Sequence, residues 1–249
     1  MPTVTVITGA SGGIGAALAR RLGHAGHRLV LGARRADALQ EVAESITSTA
    51  IAVPTDVTVR AEVDALGRAA LERFGRVDVW VNNAGRGLTA PVLALTDAQL
   101  DDMVTVNVKS ALYGMQTIVP HFVERGEGHL INVSSFLARA PIASVRSAYS
   151  AAKAMLNSLT ANLRMDLAQS HPDVHVTTIM PGLVSTEFAH NAGHEGPLAA
   201  ASVAMGIQTP DEVADIIADV IARPRAEVYT NPNSVAVVRR YLEETGALG

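Results

Sequence analysis

Tyr149 and Lys153 stand four residues apart in the run SAYSAAK, a spacing that places a phenol and an ammonium side by side on one face of a helix. A free tyrosine titrates near pH ~10 and moves few protons at neutrality, but a fixed cation beside it favours the phenolate and brings it toward the working range. The pair reads as a proton carrier with its tuning charge. Ser135, closing the run LINVSS, supplies a hydroxyl able to hold a substrate oxygen toward that phenol and to stabilise developing negative charge. The same spacing also describes a surface tyrosine above a solvated lysine, so the rest of the chain decides between the two readings.

Composition sets the frame for that chemistry. The 249 residues are 48% hydrophobic and 18% charged, enough apolar material for one α/β domain spanning residues 1–249. A net charge of −4 and a pI near 6.0 give no basic field for nucleic acid or an anionic membrane, so neither partner is expected. With no cysteine, disulfides, thiolate metal sites and cysteine nucleophiles are excluded. The opening MPTVTVITGASGGIG enters a strand and a glycine turn without a basic flank and apolar core, and no apolar run reaches spanning length. A cytoplasmic protein is expected. His190 and His194 lie near Glu187 and Glu195, but Gly193 and Gly196 interrupt any helix there and a third ligand is lacking, so no metal is expected.

The elements that must position the pair follow from periodicity. Strands are expected at Thr3–Thr8, Arg28–Ala33, Ile51–Pro54, Val77–Asn82, His129–Ser134, Val174–Met180 and near Val228. Between them the pattern predicts helices over Ala16–Leu22, from Ala36, over Arg60–Phe74, Leu100–Val123, Ala148–Ser170 and Pro210–Ala222, with a helical C-terminal stretch. The alternation implies a doubly wound parallel sheet of about seven strands with helices on both faces. Ser185 to Gln208 lacks a clear pattern and carries Gly193, Gly196, Pro197 and Gly206; a loop of that length is read as a substrate lid.

The turn TGASGGIG, with Gly9, Ser11, Gly13, Ile14 and Gly15, falls between the first strand and the first helix. Glycines there let backbone N–H groups approach a pyrophosphate, and the helix N-terminus adds partial positive charge.

Gly9, Gly13 and Gly15 do not follow the G-x-G-x-x-G spacing. Together with Asn82-Asn83-Ala84-Gly85, Asn107, Ser135, Tyr149 and Lys153, they make the chain resemble the classical short-chain dehydrogenase/reductase family over nearly its whole length. The resemblance implies a Rossmann-like fold and hydride transfer between a nicotinamide cofactor and a carbonyl or alcohol substrate. It makes Tyr149 the general acid/base, Ser135 the group orienting the substrate oxygen, and Lys153 a cation that tunes the phenol and holds the nicotinamide ribose. Asn107 resembles the family asparagine whose helix distortion anchors a water in a proton relay from Lys153. Asn83, Ala84 and Gly85 would line the cofactor and support the sheet. Pro181, Gly182, Val184 and Thr186 would close over the nicotinamide. Asp56 and Val57 match the family's adenine contact, with a helix N-cap region as the competing reading.

Arg34 and Arg35 follow the second strand, where an acidic residue would bind the ribose 2′-hydroxyl of NAD. Two cations suit a 2′-phosphate, Arg34 as the expected contact, so NADP(H) is preferred over NAD(H). Gly12 stands where the family's NADP members carry a further basic residue. The interval from Ser135 to Tyr149 is 14 residues, longer than the family pattern, and Ala138 replaces a frequent glycine. Ser134 is a second hydroxyl candidate, and the 136–147 loop, with Phe136, Leu137, Arg139 and Arg146, frames the substrate mouth. Those apolar residues with Leu88, Leu183 and Phe188 suggest a small or medium-sized apolar carbonyl compound, or core packing. The alternative function is a catalytically silent NADP(H)-binding regulatory protein. Family resemblance implies a homo-oligomer, tetramer or dimer.

Overall fold

The computed structural model describes residues 1–186 and 206–247. Seven parallel strands form one sheet in the order β3-β2-β1-β4-β5-β6-β9: β1 (Val4–Thr8), β2 (Arg28–Ala33), β3 (Ala50–Pro54), β4 (Val79–Asn82), β5 (Gly128–Val133), β6 (Val174–Met180) and β9 (Glu227–Tyr229). A separate two-stranded ribbon pairs β7 (Leu183–Val184) with β8 (Ile207–Gln208). Both faces of the main sheet are apolar, as parallel strands covered on two sides require. On one face, Ile7, Leu31, Val81, Ile131 and Ile179 pack with α1 (Gly13–His24), α2 (Ala36–Glu44) and α7 (Pro210–Ala222). On the other, Val6, Val30, Trp80, Leu130 and Val176 pack with α3 (Arg60–Phe74), α5 (Ser110–Arg125) and α6 (Ser147–Ala168). The chain closes with α8 (Asn233–Glu244). This is a single-domain, Rossmann-like fold. No helix among the described residues is long and apolar enough to cross a membrane.

Several element ends shift by one to three residues from the expectation, and two differences bear on the site. Helix α1 begins at Gly13 rather than Ala16, because Gly12, its N-cap, is already extended (φ −179°, ψ 176°). Glycine's low helix propensity conceals a first turn whose position is set by close packing. The helix expected over Leu100–Val123 is three pieces: α4 (Asp97–Val104), a π-helical turn (Thr105–Lys109) and α5. Its start is fixed by a reciprocal cap, Gln99 N donating to Thr96 Oγ1 (3.2 Å) and Thr96 N to Gln99 Oε1 (3.1 Å). The π turn carries Asn107, matching the distortion implied for it.

A buried polar chain sets α6 against the sheet. Trp80 Nε1 donates to Asn82 Oδ1 (2.7 Å), Asn82 Nδ2 to Asn132 Oδ1 (2.8 Å), and Asn132 Nδ2 to Thr160 Oγ1 (2.9 Å) on α6. Unmatched amides would be costly between apolar layers, so each link specifies its neighbour's position. At the opposite end of the sheet, Asp78 accepts from Val4 N (2.8 Å), Arg76 Nε (2.8 Å) and Arg125 Nη1 (3.0 Å).

Candidate active site

Strand order reverses direction between β1 and β4, and the crevice outside the strand C-termini at such a point is where open α/β sheets bind ligands. A cavity of about 660 Å³ lies there, lined at one end by the glycine turn and the arginines after β2, and at the other by Ser135, Tyr149 and Lys153.

The turn end is built from backbone. Gly9 has φ +68°, and a Cβ on it would come 2.8 Å from Ala84 Cα, so only glycine fits. Thr8 Oγ1 accepts from Asn83 N (3.1 Å) and Ala84 N (3.2 Å), while Asn83 Nδ2 donates to the Thr8 (3.0 Å) and Gly9 (3.2 Å) carbonyls. Asn83 thus latches β4 to the turn. Gly15 is not on the cavity wall; it lies beneath the turn, where a Cβ would stand 2.4 Å from the Gly9 carbonyl oxygen. Gly9, Ser11, Gly13 and Ile14 do line the cavity. Helix α1 has neither a side-chain cap nor an acidic residue in its first turn, leaving its N-terminal N–H groups to serve an anion.

Arg34 and Arg35 both line the cavity, but their surroundings differ. Arg35 donates from Nη2 to the Ser11 carbonyl (3.2 Å) and from Nε to Ser11 Oγ (3.4 Å). A Cβ on Gly12 would meet Arg35 Nη2 at 2.9 Å, so Arg35 fills the room a basic residue at position 12 would use. Arg34 faces Asp56. Asp56 Oδ1 accepts from Thr58 N (2.9 Å) and Thr58 Oγ1 (2.7 Å). The Thr58 backbone bond first, then its hydroxyl, with Arg34 adding attraction, hold the carboxyl below its usual range against the effect of burial. The N-cap of α3 is Val59, and Asp56 shapes the turn that leads into that helix, its N donating to Glu62 Oε2 in the first turn (2.6 Å). Asp56 and Val57 line the cavity, as do Asn83, Ala84, Gly85, Pro181, Gly182, Val184 and Thr186.

At the chemical end Ser135, Tyr149 and Lys153 are all buried. Ser135 Oγ accepts from Leu137 N (3.2 Å), which seats the hydroxyl at the end of β5, and the side chain is also hydrogen-bonded to Tyr149. Burial pushes the Tyr149 phenol up to about 12, opposed by the Ser135 bond and the charge of Arg146. Lys153 is brought down to about 8 by burial. Its ammonium donates to the Val133 carbonyl (3.0 Å) and lies 5.8 Å from the Tyr149 ring centroid. Helical spacing thus puts the ammonium beside the ring, while burial is the largest influence on the phenol.

Asn107 is not on the wall either. It stands behind Gly85, where a Cβ would meet Asn107 Oδ1 at 2.9 Å and Lys153 Nζ at 3.4 Å. Its amide clamps the Arg86 backbone, Oδ1 accepting from Arg86 N (3.2 Å) and Nδ2 donating to the Arg86 carbonyl (3.0 Å). Ser134 Oγ is committed to the Lys153 carbonyl (3.3 Å). In the 136–147 loop, a 3-10 turn at Phe136–Ala138 takes up the start of the long interval, and Ala90 N pins its end through the Val145 carbonyl (2.8 Å). Phe136, Leu137 and Arg146 line the cavity with Leu183, whereas Arg139 pairs with Glu227 at 2.7 Å and Leu88 packs into the cluster around Tyr149. The lid expected at 185–208 falls, for 187–205, outside the described residues, as do Phe188, His190 and His194.

Residues 3–196 match the family model described as short chain dehydrogenase. The chain belongs to that family. An uncharacterised oxidoreductase of Staphylococcus aureus is 33% identical over 237 residues, covering 94% of this chain and 96% of the relative. Among solved structures, a Burkholderia phymatum short-chain dehydrogenase/reductase in complex with NAD superposes with TM-score 0.88 at 28% identity, covering 98% of this chain and 95% of that one. An alcohol dehydrogenase of the archaeon Thermococcus sibiricus, complexed with 5-hydroxy-NADP, gives TM-score 0.79 at 27% identity over 92% and 96% of the two chains.

As a short-chain dehydrogenase, the chain is an oxidoreductase of a family whose structures hold nicotinamide cofactors of both kinds. Sequence reading missed several residues that build the site. Asn132 was legible as an amide inside the apolar run LINV; Thr8, Thr58 and Thr160 gave no signal, because a threonine near a strand, turn or helix is unremarkable until its partner is known. In sequence Arg146 reads only as part of the loop that frames the mouth, since it is tertiary packing that buries it.

Proposed function

We propose that the protein is an NADP(H)-dependent oxidoreductase that moves a hydride between nicotinamide and a carbonyl or alcohol substrate, with Tyr149 carrying the proton. The observation that carries this reading is one continuous cavity with Ser135, Tyr149 and Lys153 at one end and the glycine turn with Arg34 and Arg35 at the other. The residues present fit the cofactor: an uncapped helix N-terminus over Gly9 and Gly13 suits a pyrophosphate, and two guanidiniums at the end of β2 suit a 2′-phosphate.

The bound nicotinamide supplies or accepts the hydride. The Ser135 hydroxyl holds the substrate oxygen beside the phenol and stabilises charge growing on it. Tyr149 then passes its proton to that oxygen. With the phenol near 12, it is protonated at neutral pH, the form needed for carbonyl reduction. Lys153, anchored on the Val133 carbonyl, would hold the ribose hydroxyls, and Asn107 behind it would support a proton path to solvent. Small or medium-sized apolar carbonyl compounds suit the Phe136, Leu137 and Leu183 walls. A homo-oligomer is part of the proposal; sedimentation measures it.

The deciding experiment is a panel of ketones, aldehydes and quinones assayed with NADPH and with NADH. Turnover with NADPH in preference to NADH supports the proposal, whereas tight cofactor binding with no turnover across the panel would make the protein a silent NADP(H)-binding regulator. The buried, mutually bonded Ser135 and Tyr149 argue against that second reading.

A further inference from the structure

Arg146 is a charged group of the cavity to which the mechanism above gives no task. It is the N-cap residue of α6, three residues before Tyr149, and it lines the same cavity as Tyr149 and Ser135. It is 5% exposed, its Nη1 is buried without a hydrogen-bond partner, and no carboxylate among the described residues pairs with it. The neighbouring arginines are satisfied elsewhere, Arg139 by Glu227 and Arg86 by Asp102.

A guanidinium taken out of water without an anion is strongly disfavoured. Nothing at this helix end relieves it: the first turn of α6 holds no acidic residue and no side-chain cap, so the helix dipole adds positive potential. The anion this arrangement can create for itself is the Tyr149 phenolate. Among the polar and titratable groups around that phenol, Lys153 is anchored on the Val133 carbonyl, Lys109 on the π turn is exposed, Asp102 on α4 is paired with Arg86, and Tyr229 on β9 sits among the paired Arg139 and Glu227. Ser135 contributes a hydrogen bond, and Arg146 contributes a full opposite charge.

We infer that Arg146 is a positioning residue of the acid–base step, a second cation beside Lys153 that stabilises Tyr149 whenever its proton has left. In reduction the phenol O–H bond breaks, the proton passes to the substrate oxygen as the hydride reaches carbon, and the bonding pair stays on the phenolate. That oxyanion faces Arg146 until solvent returns a proton. The buried guanidinium is unpaired in the resting enzyme and paired in the step that matters. Lys153 keeps its place beside the ring and its proposed hold on the cofactor, and Arg146 adds a second positive charge to the same phenol. This inference rests on Tyr149 being the acid/base of the proposed function.

The test reads the phenol directly. Tyr149 is replaced by a ring-fluorinated tyrosine, whose more acidic phenol titrates at milder pH, and phenolate absorbance is followed in the parent, Arg146→Met, Arg146→Gln and Arg146→Lys proteins. The expected result is a midpoint raised by about one pH unit or more in the Met and Gln variants, with the Lys variant between them and the parent. The limb of the kcat/KM profile for alcohol oxidation that reports the base should move in the same direction. Gln keeps hydrogen-bonding atoms and is read if Met fails to fold. An unmoved midpoint in a folded neutral variant overturns the inference, as does a KM rise confined to carboxylate-bearing substrates with the midpoint unmoved, which would make Arg146 a substrate-anion site. Because the absorbance needs no turnover, the inference and the catalytic role of Tyr149 fail separately.

Discussion

The Lys153 ammonium lies 5.8 Å from the centre of the Tyr149 ring and is anchored by the Val133 carbonyl at 3.0 Å, so it flanks the phenol and is tied to β5. Burial moves the two groups in opposite senses, the phenol toward about 12 and the ammonium toward about 8. Both shifts favour the neutral forms of the pair, and the enzyme's pH behaviour follows from that.

Replacing Tyr149 by Phe removes the proton donor and leaves the apolar ring in place. Turnover in the reductive direction is expected to fall about a hundredfold or more, with NADPH affinity unchanged within about twofold. Stopped-flow turnover and fluorescence binding check the two halves; retained turnover would remove Tyr149 from its role.

Lys153→Met should abolish activity yet raise stability near neutrality. The folded value lies below the ordinary 10.5, so between about 8 and 10.5 the unfolded chain binds more protons and stability rises with pH. Below about 8 the wild type carries the whole cost of the buried ammonium, and the Met variant is expected to be more stable by up to about 3 kcal/mol, an advantage that shrinks toward pH 10.5. Urea unfolding at pH 7 and 10 measures it. A variant less stable at both would show that the Val133 bond outweighs the burial.

Arg34→Asp should weaken NADPH by about tenfold or more while leaving NADH much less affected, because only NADPH carries the 2′-phosphate that the proposed site assigns to Arg34. Arg35→Ala should do likewise and also loosen the turn it holds through Ser11. Dissociation constants for both cofactors decide it, and equal losses for NADPH and NADH would sink the cofactor assignment.

His129, far from the cavity, should set acid sensitivity. Thr177 Oγ1 donates to the Arg225 carbonyl (2.6 Å), so it accepts from His129 Nε2 (2.8 Å), and Nδ1 is left buried without a partner. Burial first and His175 second hold the imidazole down at about 3, below its ordinary 6.5. Between those values the unfolded chain binds the extra proton, so stability falls as pH drops through the window, by up to about 1.4 kcal/mol per unit. His129→Gln should flatten that slope in thermal unfolding from pH 7 to 4; an unchanged slope would place the acid sensitivity elsewhere.

Much of the fold was legible because strand and helix periods in this chain rarely conflict. Arg60–Phe74, Val174–Met180 and Pro210–Ala222 appear with both ends as read; α7 in particular opens on Thr209 and Glu212, a cap written in the sequence. The π turn was invisible to hydropathy, since one extra residue in a hydrogen-bond ladder leaves the apolar stripe nearly unchanged. At the site, spacing found Tyr149, Lys153 and Ser135 and failed on what they feel, because burial is set by elements distant in the chain. Arg146 shows the limit most clearly: in sequence it is a polar loop residue, and its chemistry arises only once the loop is pinned at Ala90.

The latch at the strand switch also governs the order in which the molecule can assemble. Val4 meets Asp78 and Thr8 meets Asn83, partners 74 and 75 residues away, so β1 gains its second neighbour only after a long stretch of chain has been threaded through α1, α2 and α3. Loop closure of that length is slow beside helix formation. In refolding, helical signal should therefore recover before cofactor binding does, and the return of binding becomes a clock for the moment when the two halves of the sheet join.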